Sequence, residues 1–362
     1  MKRGETAKGK RLLEEAWAVN NTLVPVGATL GELAYKAGNE SKAMELLVPA
    51  RLSGRAPESA KAALDALYKK QHNGSLDGMD AMLDEQYQKL YPNPVKVEEY
   101  QASEKRSDRL VLAEVFTGSG CPPCVGADLA FDAAMERYSR KEVAVVMYHV
   151  HVPRPDPMTN PETTARSKAY GVNGVPSYAI DGKMLGGGGG GRENAKAIYE
   201  RIVKPIEEDL EKPAEAKLTA HASLTGNTVK VTGTVDDIAE KPEDLKVEVL
   251  LVEKQVRYTG ENGIRFHPMV VRAIGEENAE GSFSRTFDVD EISAGLKKHL
   301  DEYEAGGHRG ESFKFIEKKD AINHANLAVV VLVQDGKTKH VLQSALIDLS
   351  TGSGGRISTE TK

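Results

Sequence analysis

Residues 109–139 read RLVLAEVFTGSGCPPCVGADLAFDAAMERYS. The opening RLVLAEVF is short, apolar and rich in strand-forming residues, which predicts a buried β-strand. In PCVGADLAFDAAMERYS the apolar residues recur at helical spacing, which predicts an amphipathic helix. Between strand and helix lie the small-residue loop TGSG and Cys121-Pro122-Pro123-Cys124, which holds both cysteines of the 362-residue chain. Taken alone, those four residues leave a metal site, a structural staple and a working dithiol all open.

Position narrows the choice. A helix N-terminus lowers a thiol's pKa through its unpaired N–H groups and its dipole, and the thiolate is the reactive form in disulfide exchange. A spacing of three residues places Cys124 one turn inside, close to Cys121 and more buried. Cys121 is then suited to attack a substrate disulfide and Cys124 to resolve the mixed disulfide. Prolines at the first helical positions lose no helical hydrogen bond and stiffen the turn, while TGSG lets the backbone approach a partner closely. A structural zinc site asks for four ligands, commonly two such pairs, and this chain has one. A staple across so short a loop gains little chain entropy. The chemistry expected of the pair is redox.

Working outward, KEVAVVMYHVHV predicts a second strand, PETTARSKAYG a helix, PSYAI a strand, DGKML a further strand past a tight turn, and RENAKAIYERIVKPIEEDL a helix. Strands alternating with helices imply an α/β domain with a partly parallel sheet, over residues 106–212. Some fifty residues beyond the cysteines stands YGVNGVPSYAIDG. Strand, CxxC at a helix start, strand, helix, Val-Pro-strand and Asp-Gly turn follow the order of the thioredoxin fold, and residues 106–212 resemble that family. The resemblance implies that Pro176 is a cis-proline against the dithiol and that the backbone of Val175 meets the substrate. The wider arrangement is similar to multi-domain extracytoplasmic thioredoxin-like proteins whose redox domain precedes a β-sandwich. This chain departs from the family pattern in three places. Gly120 stands where thioredoxins carry tryptophan, and CPPC replaces CGPC. The position of the family's buried acid holds Val115, with Glu114 adjacent. Glu114 is thus a candidate proton acceptor for Cys124 if the TGSG loop holds one extra residue, and a strand-edge surface charge otherwise.

Strand alternation in YHVHVPRPDP puts His149 and His151 on one face, at the cysteine edge of the sheet. There they would be polar strand-end residues, tuners of the thiolate, or metal ligands together with Cys121 and Cys124. The last case defines an alternative function, copper or zinc binding or delivery; a non-catalytic thioredoxin-like adaptor is the other. The run Gly186–Gly191 precedes a helix but lacks the features of a nucleotide loop, and reads as a flexible connection. His221 and His267 belong to no pattern.

Residues 1–91 read as helical hairpins with a weak tetratricopeptide-like period, Tyr35 with Gly38-Asn39 recurring as Tyr68 with Asn73-Gly74. Residues 92–105, YPNPVKVEEY onward, break the helix twice with proline and read as a linker. From 213 to 350 the pattern is nearly all strand, with one helical insertion at DEISAGLKKHLDEYE, which predicts an antiparallel β-sandwich of immunoglobulin-like architecture. Residues 351–362 read as a disordered tail. The fold class expected is therefore multi-domain α+β: helical hairpins, a central α/β thioredoxin-like domain and a C-terminal β-sandwich.

The composition is that of a globular protein, 40% hydrophobic and 28% charged with a formal net charge of −6, which disfavours a nucleic-acid partner. No run of 18 apolar residues predicts a membrane span. MKRGETAKGKRLLEEAW has basic residues but no apolar core, so it does not read as a signal peptide. A cytoplasmic chain is expected, or a periplasmic or extracytoplasmic one if a signal was trimmed. The function expected is a thiol–disulfide oxidoreductase acting on protein disulfides, with no cofactor, an electron-donating redox partner, and flanking domains that hold partners.

Overall fold

The computed structural model of the chain describes residues 3–279, 281–349 and 355–358. They form two compact units, one of residues 1–92 with 258–265, the other of residues 93–257 with 266–362.

In the first unit, α1 (Arg3–Val19) is followed by α2 (Val24–Lys36), α3 (Glu40–Leu52), α4 (Glu58–Gln71) and α5 (Met79–Leu90). Asn39 caps α3 by accepting the N–H of Lys42, as a short polar residue before a helix should. Small residues at contact points let the helices approach closely: a Cβ on Gly31 would lie 2.8 Å from Leu47. The loop 258–265 joins this unit through Arg265, whose guanidinium bonds Asp84 at 2.6 Å and Asp80 at 3.0 Å.

In the second unit, β1 (Val111–Thr117), β2 (Val143–His149), β3 (Ser177–Ile180) and β4 (Lys183–Gly187) are connected by α6 (Cys124–Arg137) and α7 (Pro161–Ala169). A 3-10 turn at Arg192–Asn194 then leads into α8 (Ala195–Leu210). β1 pairs parallel with β2 and antiparallel with β3. Strand alternation gives β1 two different faces. Val111, Ala113 and Val115 pack with Phe131 of α6 and Ile202 and Ile206 of α8. Leu110, Leu112 and Phe116 belong to a second core.

The strands β5 (Lys217–Thr225), β6 (Thr228–Asp236), β7 (Leu245–Arg257), β8 (Phe266–Asn278) and β9 (Gly281–Asp288) follow. Then come α9 (Val289–Gly306), β10 (Leu327–Asp335) and β11 (Val341–Asp348). Two antiparallel layers face each other across a core that joins Leu218, Val231 and Phe283 to Val249, Val329 and Ile347. The tail predicted at 351–362 lies in part outside the described residues; within it, β12 (Gly355–Ser358) pairs antiparallel with β5.

The α/β segment and the strands beyond it are not separated by a gap. β2 pairs parallel with β8 at Met147 and Val270, so a single eight-stranded mixed sheet runs β11-β10-β7-β8-β2-β1-β3-β4. Its two halves also face each other: Leu112, Phe116 and Tyr148 on one side pack with Val252, Val330 and Leu332 on the other. The predicted linker is likewise attached. Asn93 Nδ2 donates to the carbonyl of Leu129 at 2.9 Å, and the Tyr100 N–H to that of Arg137 at 2.8 Å.

Candidate active site

β1 ends at Thr117 and the chain turns through Gly118-Ser119-Gly120 into Cys121. The turn closes with the Cys121 N–H on the Gly118 carbonyl at 3.0 Å. Glycine is required here by a close approach from within the chain. A Cβ on Gly118 would lie 2.6 Å from the Val152 carbonyl, and one on Gly120 2.9 Å from Arg154 Cβ. α6 begins at Cys124, so Pro122 and Pro123 precede the helix instead of occupying its first turn.

Cys121 and Cys124 are joined in a disulfide, their Cα atoms 5.4 Å apart. Both are buried, Cys121 at 1% exposure and Cys124 at 0%. Cys121 Sγ lies 3.6 Å from the carbonyl oxygen of Val175, and the Val175–Pro176 peptide is cis. A second cis peptide, Val152–Pro153, lies in the segment that crosses the cysteine loop.

A buried polar cluster joins the end of β1, the first turns of α6 and the end of β2. Asp128, one turn beyond Cys124 on α6, accepts a hydrogen bond from the Thr117 hydroxyl at 2.7 Å. Thr117 is beside His149 in the β1–β2 register. His149 Nδ1 pairs with Asp156 Oδ2 at 2.9 Å, the same oxygen accepts the Ser119 N–H at 2.5 Å, and Oδ1 accepts the Met158 N–H at 2.8 Å. Asp156 thus ties the end of β2 to the loop that carries Cys121. Burial pushes the Asp128 carboxyl up to about 7, against the Thr117 hydrogen bond and the charge of His149 and with the charge of Asp156. Burial acts on Asp156 in the same sense. There the charge and hydrogen bond of His149, with the Ser119 and Met158 N–H groups, outweigh it and hold the acid well below the usual carboxylate range. His149 Nε2 is buried and has no hydrogen-bond partner among the described residues.

The two histidines both bond Asp156, one through its carboxylate and one through its N–H, and otherwise have different surroundings. β2 ends at His149, and with it the alternation that would set His151 alongside. His151 Nδ1 accepts the Asp156 N–H at 3.0 Å, and its ring stacks on Tyr303 of α9 with centroids 3.8 Å apart. Burial depresses its pKa to about 4. Among the described residues no group of three or more His, Cys, Asp or Glu is arranged to hold a metal ion.

Glu114 is not brought to the cysteines. As an even-numbered residue of β1 it points into the second core, away from α6, and is fully buried. There it accepts hydrogen bonds from Tyr148 at 2.9 Å, from Arg166 at 2.9 Å and from Tyr170. Arg166 also bonds Glu248 at 2.6 Å, across to β7. Glu114 is thus neither a surface charge nor a neighbour of Cys124: the strand's two-residue period assigns it the other face.

No family model matches this chain, and no curated protein does. Among solved structures, HBP35 of Porphyromonas gingivalis is similar over 68% of this chain and 78% of its own, at 20% identity and a TM-score of 0.45. A likeness that slight carries no argument about fold or function.

The residue that sequence reasoning passed over is Asp128. Its signal was present: an acid four positions after Cys124, in a helix whose neighbours Ala127, Leu129, Ala130 and Phe131 are all buried. Asp156 gave no comparable signal, because only the fold of the proline-rich loop brings it to Ser119.

Proposed function

We propose that this chain is a thiol–disulfide oxidoreductase with a thioredoxin-like redox domain, Cys121 being the attacking and Cys124 the resolving residue. The observation that carries the reading is the vicinal cysteine pair at the start of α6 with Cys121 Sγ set against the Val175 carbonyl. The pair sits where a helix dipole favours a thiolate, with the backbone of the Val175 segment beside it to align a substrate strand.

In the reduced form, the Cys121 thiolate attacks a substrate disulfide. A Cys121–substrate bond forms, the substrate's S–S bond breaks, and one substrate thiolate leaves. Cys124, as thiolate, then attacks Cys121 Sγ, releasing the second substrate thiol and closing the Cys121–Cys124 disulfide. The substrate gains two electrons and the chain loses two, which a dithiol-class redox partner returns. For the second step Cys124 must give up a proton. Asp128 follows it by one helical turn, a spacing that puts Cβ atoms about 5–6 Å apart. It is buried, hydrogen-bonded by Thr117, and near half-protonation at neutral pH, as a proton acceptor should be. We assign Asp128, and not Glu114, the role of proton acceptor for Cys124. The helical unit and the antiparallel layers are assigned to holding protein partners, since a dithiol domain alone would suffice for small disulfides.

The test is a trapping experiment with reduced Cys124→Ser protein and a protein disulfide substrate. A stable mixed disulfide through Cys121 is expected. Absence of any adduct, together with disulfide-exchange activity unchanged in Cys121→Ser, would defeat the proposal.

A further inference from the structure

The burial of both sulfurs poses a difficulty that the redox reading must meet. Exchange requires a thiolate to approach one sulfur, and access governs its rate. On one flank of the disulfide lie the Val175 carbonyl and Pro176. The glycine run 186–191 bridges the cysteine turn and the proline loop. A Cβ on Gly189 would overlap the Pro123 carbonyl and lie 2.8 Å from Pro176 Cδ.

The run is bonded in place by its backbone. Gly190 donates its N–H to the Pro123 carbonyl at 2.7 Å and accepts the Gly126 N–H at 2.9 Å. Gly126 lies in the first turn of α6, where the N–H groups lack helical partners, so the Gly190 carbonyl satisfies one of them. This explains a glycine that weakens the helix by about 0.5–1 kcal/mol relative to alanine. A Cβ on Gly126 would lie 2.9 Å from the Gly191 carbonyl oxygen and 3.0 Å from that of Gly190. Glycine is therefore required on both sides of one contact. Gly188 and Gly190 also hold φ values of +154° and +156°, a region of the backbone map that other residues rarely enter.

We infer that Gly188–Gly191 is a strap closed over the dithiol, and that exchange at the Cys121–Cys124 disulfide requires it to release Pro123 and Gly126. The inference rests on the redox reading of the site. A strap of glycines gains the most conformational freedom of any sequence when it lifts, so the closed state is held by few contacts against a large entropy.

Reduction of the full chain's own disulfide by dithiothreitol tests this, with thiols trapped by maleimide at timed intervals. That reaction transfers two electrons from dithiothreitol to the Cys121–Cys124 pair and needs no protein substrate. Its outcome is thus separate from that of the trapping experiment. For the unaltered protein the rate should rise with dithiothreitol and then level off at the opening rate of the strap. Gly190→Ala places a Cβ against Asn194 and a side chain at φ +156°. It should raise the plateau about tenfold and speed hydrogen exchange at the Gly126 amide. Gly188→Ala, at φ +154°, should act in the same direction. A rate linear in dithiothreitol throughout for the unaltered protein, or a plateau that both variants leave unchanged, overturns the inference.

Discussion

The Thr117 hydroxyl donates to the Asp128 carboxylate at 2.7 Å, joining the last residue of the strand that leads into the cysteine loop to the helix that leaves it. Both groups are buried, so the acid has no access to bulk water. If Asp128 accepts the Cys124 proton, Asp128→Asn should slow resolution of the mixed disulfide by roughly 10². Single-turnover release of substrate, followed against pH, reads this directly. The wild-type rate should rise through neutral pH, and the variant should lose that rise. A variant with an unaltered pH profile would remove Asp128 from the proton path.

The same carboxyl makes a prediction about folding. Its pKa is raised from an unfolded value near 3.9 to about 7 in the folded protein. Between those values the folded chain binds a proton that the unfolded chain has released, so this group's contribution to stability falls as pH rises from about 4 to about 7. Asp128→Asn does not titrate. Denaturant unfolding of the two proteins should therefore show the variant gaining on the wild type as pH increases across that window. A constant difference across it would contradict the raised value.

Asp156 acts in the opposite sense and at lower pH. Its carboxyl is held below the usual range, so its contribution is present above about pH 4 and is lost as acid protonates it. Asp156→Asn should be clearly less stable than wild type at pH 7, with the gap closing below pH 4. Because the carboxylate also holds the Ser119 N–H, the variant should shift the reduction potential of the cysteine pair. An unchanged potential would show that the loop keeps its position without this bond.

Glu114 and Arg166 should affect stability alone. Arg166→Met leaves Glu114 and Glu248 buried without their cation, and removal of one partner from such a cluster costs about 3–5 kcal/mol. Glu114→Gln should also destabilise, while leaving the reduction potential and the rate of mixed-disulfide resolution as in wild type. Loss of activity in a folded Glu114→Gln protein would return that residue to the proton path.

Periodicity located most of the elements that build the site. RLVLAEVF lies within two residues of β1 at each end, and PSYAI and DGKML coincide with β3 and β4 apart from their ends. The misreadings have a common origin in contacts distant in sequence. Glu114 is a candidate because it adjoins Val115, the position of the family's buried acid, but a strand sends adjacent residues to opposite faces, and the face of Glu114 is the one with Tyr148 and Arg166. The alternation that predicts a shared face for His149 and His151 stops when the strand does, and what joins them is Asp156, in the loop beyond. The glycine run carried no periodicity, and only the position of Pro123 and Gly126 gives it a partner. That residues 92–105 are attached to α6 was equally hidden, because prolines specify where a helix ends and not where the chain goes next.

The pairing of Met147 with Val270 determines what would happen if residues 106–212 were cut out. Residues 106–212 expressed alone would present the bare edge of β2 and an uncovered apolar face at Leu112, Phe116, Ala144, Val146 and Tyr148. Free strand edges beside exposed apolar surface promote association between copies. The dithiol of this chain is therefore not a portable cassette. Engineers who wish to transplant it must carry the antiparallel strands along or redesign the face they cover.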